Sequence, residues 1–126
     1  MLFRSELNKH SFLIKGITDI NKDFHGEHLT VDMLDKHGDD GTFVYNLFLK
    51  DLQKVIDSGG KLVAHNIDFD FDILYREMTI YSMENKVDWV SVRRNNLFCT
   101  MKKSVKICKL IKEGYPGFKY PRLYEL

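Results

Sequence analysis

The stretch KLVAHNIDFDFDILYREM, residues 61–78, constrains the fold of this chain more than any other. From Ile67 to Ile73 apolar and acidic residues alternate strictly, the period-two pattern of a half-buried strand with Asp68, Asp70 and Asp72 on one face. Joined to the apolar run before it, however, such a strand would extend about fourteen residues, well beyond the usual five or six. Leu74–Met83 carries no alternation and is rich in residues that tolerate a helix. The economical reading is a strand that ends near His65-Asn66 and a helix that starts at about Asp68. Three acids in its first turn suit the positive end of the helix dipole.

Helical geometry separates the three carboxylates. At about 100° per residue, Asp68 and Asp72 fall close together and Asp70 roughly opposite. Asp72 lies four residues before Arg76, which predicts an exposed ion pair. Asp70 shares its face with Ile73 and Leu74, the side predicted to pack on a sheet, where a carboxylate is costly unless a cation or donor meets it. Glu77 is on that face two turns further on, roughly 10 Å away by helical rise and too far to share one metal ion. The competing role for Asp70 is structural, bonding a backbone group at the helix start.

Around this segment the chain alternates. Ser11–Lys15 reads as a short strand and Gly16–His28 as a loop. Thr30 caps a short helix over Val31–His37 that ends at Gly38. From Gly41 to Asp57, Val44, Leu47, Phe48, Leu52, Val55 and Ile56 recur at helical spacing, and Ser58-Gly59-Gly60 stops the helix. Lys61–Ala64 is an apolar strand. Met83–Asn95 reads as a polar connection, Leu97–Thr100 as a strand, Val105–Ile111 as a brief helix, and the tail enters a further helix at Leu123. Strands and helices in this order predict an α/β layer fold, and 126 residues predict one domain.

Composition narrows the function classes. A net charge of +1 means that any nucleic-acid partner is held by a local patch or by metal ions. Cys99 and Cys108 match no zinc or CxxC spacing and read as reduced thiols, with a cytoplasmic location as the expectation. No apolar run reaches membrane-span length, and the first ten residues lack the apolar stretch of a signal peptide. His25-x-x-His28 lacks the second ligand pair of a zinc site. Lys102, Lys103, Lys106, Lys109 and Lys112 read as a solvated face, with phosphate contact as the functional alternative. Tyr115, Phe118, Tyr120 and Tyr124 are expected to pack as a cover over the sheet, with base stacking as the alternative. Trp89, alone in a polar stretch, carries no signal.

LVAHNIDFDFDIL resembles the second motif of the DEDD-type (DnaQ-like) 3′–5′ exonucleases, the proofreading class that includes the epsilon subunit of bacterial DNA polymerase III. In that motif a strand ends in His-Asn and a Phe-Asp pair opens the next helix. The resemblance places Asp70 on the metal-binding aspartate, and Asn66 and Phe69 on the flanking substrate positions. HSFLIK with EHLTVDMLDKHG is similar to the segment before that motif, where Leu29 and Thr30 match positions near the 3′-terminal nucleotide. NLFCTMKKSVKICK with GYPGFKYPRLYEL is similar to the segment leading toward the third motif, as in phage and viral-type members.

The resemblance implies a ribonuclease-H-like exonuclease fold, a 3′-end or single-stranded nucleic-acid partner, and two Mg²⁺ or Mn²⁺ ions. The family's first motif, Asp-x-Glu, has no counterpart; Asp19 and Asp23 lie downstream of the matching strand. Its third motif, a His followed by an Asp, would fall beyond Leu126. The expectation is therefore a partial domain without the first two strands and the last helix, since residues 1–10 offer no apolar central strand. One carboxylate cannot hold two divalent ions about 4 Å apart, so little or no hydrolysis is expected of this chain. The alternative is a non-catalytic nucleic-acid-binding or protein-interaction domain derived from the fold, its sheet closed by a second chain or segment.

Overall fold

The computed structural model describes residues 10–18, 20 and 29–126. The histidine pair His25 and His28, Asp19 and Asp23 lie outside the described residues, as do most of the loop read over Gly16–His28 and residues 1–9. The architecture is mixed α/β, and the chain divides into two compact units between Leu47 and Phe48.

The first unit holds helix α1 (Val31–His37) and the opening turns of helix α2 (Gly41–Asp57). The Thr30 hydroxyl accepts from the backbone N–H of Met33 at 3.1 Å and fixes the start of α1, as its sequence predicts. Asp40 does the same for α2, accepting from Thr42 N at 2.9 Å. The strand expected at Ser11–Lys15 is not formed. A single parallel bridge joins Ile14 to Asp39, with Lys15 N donating to Asp39 O and Asp39 N to Leu13 O. Gly38 ends α1 for a reason other than left-handed geometry, because its φ is −77°. A Cβ there would lie 2.3 Å from Leu34 O and 2.6 Å from Lys15 N, so the close crossing of two backbones requires glycine.

The second unit begins within α2, which ends at Ser58-Gly59-Gly60 as predicted; Gly59 takes φ +69° and Gly60 N returns to Val55 O. Strand β1 (Leu62–Ala64) follows, then helix α3 (Ile67–Ile80), a 3-10 turn over Glu84–Lys86, helix α4 (Trp89–Asn95), strand β2 (Leu97–Cys99) and helix α5 (Thr100–Cys108). The two strands pair in parallel, with Leu62 opposite Leu97, Val63 opposite Phe98 and Ala64 opposite Cys99. A parallel pair needs a crossover, and α3 and α4 supply it. The buried Asn96 side chain donates to Gly60 O at 2.9 Å, and Leu62 N donates to Asn96 O, which sets the register.

Residues 67–73 are helical, not extended, which resolves the alternation. Ile67, Phe71 and Met78 are buried and Leu74 half-buried, an i, i+4, i+7, i+11 stripe facing the core. Phe71 packs edge-on against Trp89, centroids 5.5 Å apart, and Trp89 Nε1 donates to Glu84 O at 2.8 Å. Burying Phe71 and Trp89 contributes about 2 kcal/mol each or more to this core. The polar connection read over Met83–Asn95 is thus corrected: Trp89 and Val92 are core residues of α4. Helix α5 starts at Thr100 rather than Val105 and stops at Lys109, whose φ of 50° turns the chain out of the helix. The final 3-10 turn, Leu123–Glu125, lies where the sequence predicts entry into a helix. No helix among the described residues is long and apolar enough to cross a membrane.

Candidate functional site

The C-terminal ends of β1 and β2 lie side by side, and helices α3 and α5 both start there. In parallel α/β sheets this is the end at which ligands bind, because helix N-termini and loops converge on it. The turn from β1 into α3 is made by His65 and Asn66. Asn66 adopts the left-handed conformation (φ 66°, ψ 55°), which asparagine tolerates better than most residues, and its side chain makes no cap. His65 is held at both nitrogens. Nε2 lies 2.7 Å from Pro121 O and Nδ1 3.0 Å from Thr100 Oγ1. A carbonyl only accepts, so Nε2 carries the proton. With both nitrogens engaged, His65 orients the turn and anchors the tail.

The three acids of α3 fare differently. Asp68 accepts from Lys102 Nζ at 2.6 Å and lies 3.5 Å from Arg93 Nη1. The hydrogen bond from Lys102, opposed by partial burial and aided by the charges of Lys102 and Arg93, holds its carboxyl below the usual aspartate value. Asp72 pairs with Arg93, not with Arg76 four residues on. Arg93 lies across a tertiary contact and also stacks over Phe71, its guanidinium carbon 4.6 Å from the ring centroid. Neither partner of these acids is signalled locally, since Arg93 is 21 residues from Asp72 and Lys102 is 34 from Asp68.

Asp70 is exposed, which overturns the expectation that it faces inward with Ile73 and Leu74. Ile73 is itself exposed, and the buried stripe runs through Phe71 and Leu74 instead. Among the described residues no cation or donor meets Asp70. Phe69 beside it is also exposed, at 58%. Leu29 is half-buried and Thr30 spends its hydroxyl on the α1 cap; both belong to the first unit.

Cys99, at the end of β2, is buried and free. Burial pushes its thiol up, but backbone N–H groups of Lys102, Ile67, Asn66 and Met101 outweigh that and bring it below the usual cysteine value. Those four amides come from the first turns of α3 and α5 or the residue just before, so two helix starts do converge at this end of the sheet. The donor set for a metal is poor. No group of three or more His, Cys, Asp or Glu side chains among the described residues could hold an ion. Asp68 and Asp72 are neutralised by cations, and Asp70 alone does not fit two Mg²⁺ or Mn²⁺ ions. A cavity of about 410 Å³ lies between α3 and α4, lined by Phe71, Tyr75, Trp89 and Arg93 among others, and Asp70 is not part of it.

The tail corrects a further expectation. Tyr115, Phe118, Tyr120 and Tyr124 are all exposed, so they do not form a cover. Pro121, the residue that His65 grips, is fully buried. No protein-family model, curated protein or solved structure matches this chain.

Proposed function

We propose that this chain is the strand–helix–strand portion of a 3′–5′ exonuclease domain, with Asp70 as one ligand of a divalent-metal site that needs further carboxylates. The observation that supports this reading is selectivity within one helical turn. Asp68 and Asp72 are each matched with a cation, while Asp70, the position the second-motif resemblance singles out, is left without one among the described residues. Exposure removes any argument from burial, because a solvated carboxylate does not need a cation. The support comes from its placement instead: it stands one turn into α3, beyond the left-handed Asn66, at the ligand-binding end of a parallel strand pair. On this reading Asn66 and Phe69 lie beside the terminal nucleotide, and His65 is a positioning residue.

Phosphodiester hydrolysis by this family's route needs two ions, and one carboxylate does not assemble them. The chain by itself is therefore a nucleic-acid-binding piece with no or trace hydrolysis. The test has two parts. Sequencing DNA on both sides of the coding segment should find in-frame Asp-x-Glu upstream and His…Asp downstream. The purified chain with Mn²⁺ should leave a 3′-labelled oligonucleotide intact. Robust trimming would refute the incomplete site, and flanking DNA without either motif would refute the kinship.

A further inference from the structure

We propose that the tail from Lys109 to Leu126 carries a binding cleft for single-stranded nucleic acid, built from two tyrosine rings among three cationic side chains. A cleft of about 270 Å³ is lined by Lys112, Tyr115, Lys119, Tyr120 and Arg122. Tyr115 and Tyr120 are 47% and 51% exposed, so part of each ring is open to a stacking partner. The cleft has a fixed frame. Gly114 and Gly117 take φ of +76° and +79°, Tyr115 N donates to Lys112 O, and Lys119 N donates to Leu110 O at 2.9 Å. Its far side is tied down where His65 holds Pro121, next to Tyr120.

The charges are only partly satisfied internally. Lys119 pairs with Glu125 at 2.9 Å, and Arg122 donates to the Tyr124 hydroxyl. Lys112 has no partner among the described residues, and three cations facing one carboxylate leave the cleft positive. Lys103, Lys106 and Lys109 continue the charge along and just past α5. The chain's net charge of only +1 hides this separation. Cations alone would suit any polyanion, whether a phosphopeptide or an acidic membrane. Exposed aromatic faces between them favour bases that are free to stack, which a duplex withholds. Lys102, on the same helix α5, is instead spent on Asp68 at the start of α3. The inference rests on the nucleic-acid reading above but needs no hydrolysis.

Fluorescence anisotropy with a labelled oligothymidine, the matching duplex and phosphatidylserine vesicles tests it on the full chain. The expected result is that the single strand binds best. Tyr115→Ala and Tyr120→Ala should each weaken it about tenfold. Lys112→Ala should reduce the slope of log affinity against log salt by about 0.7. Lys50→Ala, an equal charge change on α2, should do neither. Failure of the wild-type chain to bind overturns the inference. So does binding that ignores both tyrosines, or vesicle binding as tight as the single strand, because then cations alone are at work. Tyrosine-dependent binding with no flanking motifs would uphold the cleft and sink the exonuclease reading. Motifs present with tyrosine-independent binding would do the reverse.

Discussion

Replacing His65 with alanine should release the tail without unfolding the unit it belongs to. The imidazole makes two hydrogen bonds across more than 30 residues of sequence, to Thr100 and to Pro121 O. Thr100 has a second acceptor in Ala64 O at 3.4 Å, so its loss is small. Pro121 is fully buried and its carbonyl has no other partner among the hydrogen bonds described. Leaving such an acceptor without a donor costs about 1–3 kcal/mol. With the lost ring contacts, about 2 kcal/mol is a fair total, and it falls on local docking of the tail rather than on the Phe71–Trp89 core. That corresponds to roughly a thirtyfold rise in the open population. Trypsin reads it directly, because Lys112, Lys119 and Arg122 lie in the tail. When reclosing outpaces cleavage, the cleavage rate follows the open fraction, so H65A should be cut in the tail about 30 times faster with little change in the main unfolding transition. His65→Gln, which keeps one amide donor within reach of Pro121 O, should recover part of the protection. Cleavage of H65A within twofold of wild type would refute the reasoning, since the bond would then hold nothing.

Other perturbations probe other links. Phe71→Ala removes a ring that is 2% exposed and the partner of both Trp89 and Arg93, and should cost about 3–5 kcal/mol by chemical denaturation. Asn66→Gly should hold or raise stability because the position is left-handed, while Asn66→Ala should lose about 1 kcal/mol; a binding defect in the glycine variant would isolate the amide's own contribution. Asp68→Asn should lose no more than about 1 kcal/mol at pH 7, because the pair is half exposed. Since the folded carboxyl titrates below its ordinary value near 3.9, that stability is present above this value, is lost as pH falls through the folded one, and the variant and wild type should converge in acid melts. Gly38→Ala forces a Cβ into Leu34 O and Lys15 N, and amide exchange of Lys15 and Asp39 should quicken at least about tenfold as their bridge is lost.

The sequence made the strong local signals readable and the tertiary ones not. Thr30 and the Ser58-Gly59-Gly60 stop mark their helices because caps are written within five residues of the backbone groups they satisfy. Helix α4 is not legible by periodicity, because seven residues with two buried side chains give no clear period. Its usable signal was Asp88, which accepts from Ser91 N at 3.1 Å as an N-cap. The strand read at Ser11–Lys15 shrinks to one bridge, since β propensity decides little without a neighbouring strand. At the site, the His65–Asn66 turn was legible from where the strand had to stop. The direction of Asp70 was not, because α3 carries apolar residues on two faces and the pattern does not say which one is covered.

That second face bears on the exposed acid. Phe69, Ile73 and Ile80 line up within one helical stripe, at 58%, 40% and 66% exposure, on the side of α3 opposite Phe71 and Met78. On the sheet, Val63 and Phe98 face each other across the parallel pair, both exposed. A helix with one buried stripe needs only one apolar face, and a two-stranded parallel sheet ordinarily occurs with both faces covered. Asp70 sits on the flank of the bare stripe. If the bare stripe served nothing, apolar residues at 69, 73 and 80 would be a liability to a free-standing chain, and polar substitutions there would improve its solubility without affecting nucleic-acid binding.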